Sequence, residues 1–208
     1  MPAILAMWPD LALTGIQYRY ERRSEAAAYA TEHKLKGLYF PYQTAGTGKS
    51  VDLVEFANKL EKHTGGDLAY LLRVYWDITH DEAMKDEIRA LAAGICDFYV
   101  SAATKSSTTG LWSINNVVPA DEYAFGMFYQ GVDNSVFTNV GAAQSCALAA
   151  RLSKETNFLT NGDMIALWED FAANITIEVA EYGKSGETYH PEYAGWPGKN
   201  FWNRGVVK

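Results

Sequence analysis

Apolar positions recur at helical spacing in three stretches of the chain. Leu68, Leu71, Leu72, Tyr75 and Trp76 follow at i, i+3, i+4, i+7 and i+8, one stripe of a helix. Ile88, Leu91, Ala92, Ile95, Cys96 and Tyr99 repeat that spacing, and Thr79 with Glu82 three residues later predicts a capping box ahead of them. Met164, Leu167, Trp168, Phe171, Ile175 and Val179 form a third stripe, with Asp163 as the predicted N-cap. Weaker patterns predict helices over 9–22, 24–34 and 136–153, so about six helices in all. Tyr75, Trp76, Phe98 and Trp168 are predicted core.

The segments between the helices are long. Residues 37–51 hold a short apolar run, Leu38-Tyr39-Phe40-Pro41-Tyr42, and residues 104–134 hold β-like fragments without helical period; loops of that length in a compact domain usually carry function. The tail, 183–208, is rich in Gly, Pro, Tyr and Trp. Neither an internal repeat nor a linker divides the chain, which reads as one domain, 1–208.

Composition narrows the functional classes. With 48% hydrophobic and 21% charged residues the sequence is that of a globular protein, and its formal net charge of −7 argues against a nucleic-acid-binding face. No apolar run approaches the roughly 18 residues of a membrane span, and residues 1–10 lack the basic start of a signal peptide. Cys96 and Cys146 are too few for a disulfide framework and are predicted to be small core residues. The aromatic load, 6 Trp, 13 Tyr and 9 Phe, suits either a core or platforms for sugars.

Several familiar chemistries lack their residues. Ala45-Gly46-Thr47-Gly48-Lys49-Ser50 approximates a phosphate-binding loop, but Gln43 stands where the first Gly is required. His33, His63, His80 and His190 show no metal spacing, His33 and His80 reading as exposed helix ends. No Gly-x-Ser-x-Gly or Cys/His pattern supports a nucleophilic hydrolase. The sequon Asn174-Ile175-Thr176 falls inside a predicted helix and reads as chance. Carboxylate chemistry remains. Glu122, in Asp121-Glu122-Tyr123, has Phe125, Phe128 and Tyr129 nearby to desolvate it and Asp121 to repel it, both of which keep a carboxyl protonated.

The order of motifs resembles glycoside hydrolase family 65. Val118-Pro119-Ala120-Asp121-Glu122-Tyr123 followed by Val132-Asp133-Asn134-Ser135-Val136-Phe137-Thr138-Asn139 resembles the family's PDEY and VDNxxYTN pair. Residues 38–48 are similar to its FPWES and TG segment, and Glu61-Lys62-His63 with Gly66-Asp67-Leu68 to its histidine motif. His190-Pro191-Glu192-Tyr193, then Val206-Val207-Lys208, look like the HPEF and VKQAD passages. Ala120 replaces the usual Pro, and Tyr42-Gln43 the usual Trp-Glu.

That resemblance implies an all-α fold, part of an (α/α)6 barrel with about half of its twelve helices and long catalytic loops. It implies cleavage of α-glucosides with inversion, by hydrolases of the acid-trehalase and protein-glucosylgalactosylhydroxylysine glucosidase kind or by disaccharide phosphorylases, without a cofactor. Glu122 maps to the general acid, Lys208 to the donor subsite, and Tyr42, Gln43 and His63 to the acceptor side. Inversion also needs a base about 6.5–9.5 Å from the acid. No carboxylate maps onto that role, since Asp52, Glu55, Asp67, Asp77, Glu169 and Glu192 read as helix-terminal or surface charge. The chain therefore reads as an internal piece of an enzyme, weakly active or inactive as it stands. The competing reading is a carbohydrate-binding remnant with Trp112, Tyr123 and Trp196 as stacking platforms. An open half-barrel is also expected to self-associate through its apolar edges.

Overall fold

The computed structural model describes residues 2–51, 59–119, 131–155, 161–182 and 186–196. Seven helices lie among them: α1 (Pro2–Met7), α2 (Pro9–Glu21), α3 (Arg23–Glu32), α4 (Thr64–Thr79), α5 (Lys85–Ala102), α6 (Val136–Glu155) and α7 (Gly162–Asn174). Two small antiparallel hairpins complete the described elements, β1 (Thr104–Lys105) with β2 (Trp112–Ser113), and β3 (Ala180–Tyr182) with β4 (Glu187–Tyr189). The protein is mostly helical, as the stripes predict, with α1 as a helix that no apolar period announces.

The stripes become one core. Leu72, Ile88, Leu91, Ile95, Tyr99 and Phe171 are fully buried, and α6 packs against α4, α5 and α7. Tyr75, Trp76, Phe98 and Trp168 are core residues, 6% exposed or less. Outside this core Met7, Trp8 and Leu11, at the α1–α2 corner, remain 55–59% exposed.

Small residues set how close the central helices come. A Cβ on Gly66 of α4 would lie 2.8 Å from the Cα of Gly141 on α6, so the two backbones touch. Gly66→Ala is expected to lower stability by about 1–3 kcal/mol, because backbone on both sides cannot yield. Urea unfolding of the variant checks this, and an unchanged midpoint would show that the helices can separate without cost.

The same close packing corrects the reading of the cysteines. Cys96 on α5 and Cys146 on α6 form a disulfide, both sulfurs sealed in the core, with their Cα atoms 4.7 Å apart. Each cysteine is a buried residue on an apolar stripe, but the stripes face one another across the α5–α6 contact and bring the thiols together.

Three helix ends also differ from expectation. The capping box does not form, because Thr79 is the last residue of α4 and its hydroxyl donates back to the Tyr75 carbonyl. His80 then turns the chain at φ 44°, and Asp81 Oδ1 accepts from the Ala83 N–H ahead of α5. Asn161, not Asp163, caps α7, accepting from the Asp163 N–H. Since α7 ends at Asn174, Ile175 and Val179 lie beyond it and the sequon sits at its C-terminus, with the Asn174 amide donating to Asp170 and the Thr176 hydroxyl to the Trp112 carbonyl. His80 is exposed at a helix end as expected, whereas His33 is half-buried against the rings of Tyr29 and Tyr39.

Candidate active site

Residues 59–63 lead into α4, and three long-range contacts hold them rigid. Tyr99 of α5 donates its hydroxyl to the Lys62 carbonyl at 2.7 Å and accepts from the Gly66 N–H at 2.8 Å. Tyr39, stacked on Phe98 with ring centroids 4.4 Å apart, donates to the Glu61 carbonyl. Leu60 accepts from the Val118 N–H at 2.9 Å, which pairs this segment with the start of the long loop. Gly37 lets residues 38–40 reach that position: at φ 73° its Cα lies flat on α5, where a Cβ would meet the Gly94 carbonyl at 2.3 Å.

On this platform His63 meets two aromatic rings. Tyr42 lies edge-on at 5.5 Å and Phe137, from the first turn of α6, at 5.6 Å, and the two residues are 41% and 48% exposed. Buried beneath, Glu61 places a carboxylate oxygen 3.2 Å from His63 Nδ1, an ion-pair distance away from the line of a straight hydrogen bond. Of the residues assigned to the acceptor side, Tyr42 and His63 are thus brought together. Gln43 sits on the exposed neighbouring loop, which the Thr44–Ser50 bridge and the bond from the Val51 N–H to its own carbonyl close.

The residues that flank the segment containing Glu122, 116–118 and 131–133, are fastened to the same platform. Val117 and Val132 pair through both backbone bonds, at 2.9 and 2.8 Å. Asn116, at φ 54°, donates its N–H to Asp133, accepts from the Gly131 N–H on its side chain, and accepts from Lys62 Nζ on its carbonyl at 3.0 Å. Glu122, the residue mapped to the general acid, lies outside the described residues, as do Asp121, Tyr123 and Lys208 and the carboxylates Asp52 and Glu55.

The two asparagines of the second motif act as scaffold. Asn139 is fully buried and its amide donates to the Thr176 carbonyl and to Asn134. Asn134, at φ 51°, donates from its backbone to Ile114 and from its side chain to Glu178. Glu192 and Ala194, in the stretch after His190, bond through their backbones to Val136 and Asp133. The motif pair therefore ties these flanking residues to α6 and to the tail. Phe137, which the sequence presents only as one position of the second motif, is a site residue that sequence reasoning missed, because its contact with His63 spans 74 positions.

Beside the platform opens a cavity of about 500 Å³, with Leu5, Phe40 and Val74 as apolar wall and Arg19, Thr64 and Asp67 as polar positions. Burial draws the Arg19 guanidinium below its ordinary range and pushes the Asp67 carboxyl up, with His63 pulling Asp67 partly back. Asp77 and Glu169 are surface charges paired with Arg151 and Lys154. Trp112 does not stand open as a platform: its indole N–H donates to Asp170 of α7 and its ring leans on Phe171. Trp196 meets Tyr189 edge-on at 6.2 Å. Among the described residues no group of three His, Cys, Asp or Glu is placed to hold a metal, and no helix is long and apolar enough to cross a membrane.

Lys62 is the most perturbed base at the site. Only 8% exposed, it is pushed down to about 8 by burial. The unfolded chain keeps that proton to higher pH, so between pH 8 and 10 it binds more protons than the folded one. Stability is expected to rise with pH across that window by about 2 kcal/mol. Above it Tyr75, raised to about 12 by burial and Asp81, works in the opposite direction. Urea midpoints measured from pH 7 to 10 check the sign; a flat or falling profile would contradict it.

Comparison with known proteins identifies the family. The description "Glycosyl hydrolase family 65 central catalytic domain" matches residues 1–193. The chain belongs to that family. It is 33% identical over 209 residues to the protein-glucosylgalactosylhydroxylysine glucosidase of Danio rerio, covering 99% of this chain and 30% of that protein. A kojibiose hydrolase of Mucilaginibacter mallensis is 30% identical over 178 residues, covering 85% of this chain and 25% of the relative. A solved structure described as "Putative kojibiose phosphorylase from human microbiome" superposes with a TM-score of 0.66 at 19% identity, over 78% of this chain and 24% of that one. The helices are thus part of the all-α barrel of a family 65 fold, and the chain spans less than a third of the length of these relatives.

Proposed function

We propose that this protein serves the cleavage of α-glucosidic bonds, as the catalytic-domain portion of a family 65 enzyme. Glu122 protonates the departing oxygen, Tyr42, Gln43 and His63 meet the acceptor sugar, and Lys208 contacts the donor glucose. The observation that carries this reading is the joint between the His63 platform and residues 116–118: Val118 bonded to Leu60, and Lys62 to Asn116. It ties Val118 and Asn116, just ahead of the segment containing Glu122, to residues 60–62, which lead into His63 and its exposed ring neighbours, and this supports the reading. The glucosidase and kojibiose hydrolase relatives favour hydrolysis of a disaccharide or glucosyl-galactose unit over phosphorolysis.

The test is incubation with kojibiose, trehalose and glucosylgalactose, with and without inorganic phosphate, with the first-formed anomer followed by NMR. Release of β-glucose independent of phosphate supports inverting hydrolysis. Phosphate-dependent formation of glucose 1-phosphate assigns a phosphorylase. Binding heat without turnover assigns the carbohydrate-binding alternative. The isolated chain is expected to self-associate through apolar surface such as the exposed Met7, Trp8 and Leu11 corner; sedimentation checks this, and a monodisperse monomer would contradict it.

A further inference from the structure

We infer that Lys62 is a positioning residue whose buried ammonium fastens residues 116–118 and 131–133, which flank the segment containing Glu122, to the His63 platform. The inference rests on the reading of that segment as the carrier of the general acid. Lys62 lies between Glu61 and His63, yet its side chain leaves both and donates to the Asn116 carbonyl at 3.0 Å. Asn116 is the knot of these flanking residues. Its N–H is held by Asp133, its side chain holds the Gly131 N–H, and the next residue, Val117, pairs with Val132. One lysine therefore bridges the platform to both flanks of that segment.

The energetics argue against a purely structural role. A buried ammonium whose acceptor among the described residues is a neutral carbonyl is a net cost to folding, and burial holds it near 8 rather than at its ordinary value. An apolar residue of similar length would fill the same space without that cost. A costly buried charge that ties a candidate site to a neighbouring segment points to positioning. The backbone amides of Val118, Gly131 and Val132 report the joint directly, since each is bonded within it.

Lys62→Met, in the chain as it stands, separates the two roles. The expected result is an unfolding midpoint at pH 7 equal to or above that of the parent, together with at least tenfold faster hydrogen exchange at Val118, Gly131 and Val132. Amides in the middle of α5 should keep their rates. In catalytically competent protein kcat should fall about tenfold with KM changed less than twofold. A lower midpoint, or unchanged exchange at the three amides, overturns the inference. Because exchange needs no turnover, it tests the joint apart from the catalytic reading: accelerated exchange with Glu122 dispensable for catalysis would leave Lys62 as the fastening of the joint and remove both the proposed function and the catalytic meaning of that fastening.

Discussion

Glu122→Gln should lower kcat/KM on a disaccharide about 10³-fold, which is about 4 kcal/mol of transition-state stabilisation. The amide keeps the size and the hydrogen-bonding reach of the acid but cannot hand over a proton as the glucosidic oxygen departs. The deficit should depend on the leaving group. With α-glucosyl fluoride, whose departure needs little protonation, the variant should approach the parent rate, whereas kojibiose should be nearly inert. Initial rates on the two substrates in catalytically competent protein measure this contrast. Equal rates for variant and parent on kojibiose would remove Glu122 from the mechanism. Equal losses on both substrates would assign it to binding rather than to proton transfer.

Removing the disulfide should have the largest effect on stability. The bond between Cys96 and Cys146 closes a loop of 50 residues, for which the chain-entropy relation gives about 4 kcal/mol. For a chain of this size that corresponds to a fall of roughly 10 °C in the melting temperature of the Cys96→Ala/Cys146→Ala variant. Both sulfurs are buried, so a reductant should act on the folded protein only through unfolding, slowly at room temperature and faster near the transition. Calorimetry of the double variant and thiol counting under denaturing conditions check the two parts. Two free thiols in protein purified without reductant would show that the bond is not formed.

These expectations depend unequally on sequence and on fold. The α4 and α5 stripes carried enough period to be read along the chain, because burying one face of a helix forces apolar residues to recur every three to four positions. The ends of the helices were less legible. A capping box at Thr79 is a sound local pattern, but it lost to the left-handed turn at His80 and the Asp81 side chain. The cysteines were legible as core but not as partners, since a bridge across 50 residues depends on how two helices cross.

The site divides in the same way. By itself the sequence determined the helical class, the family through its ordered motifs, and the candidates Glu122, His63 and Tyr42, because those depend on residue type and local order. Only the tertiary structure decided that Phe137 joins His63 and Tyr42, that Asn139 is scaffold, and that Lys62 turns away from its neighbours to hold Asn116. Such contacts link residues tens of positions apart. The sequence carries no spacing rule for them, and they exist once the packing of α4, α5 and α6 has fixed where each loop begins and ends.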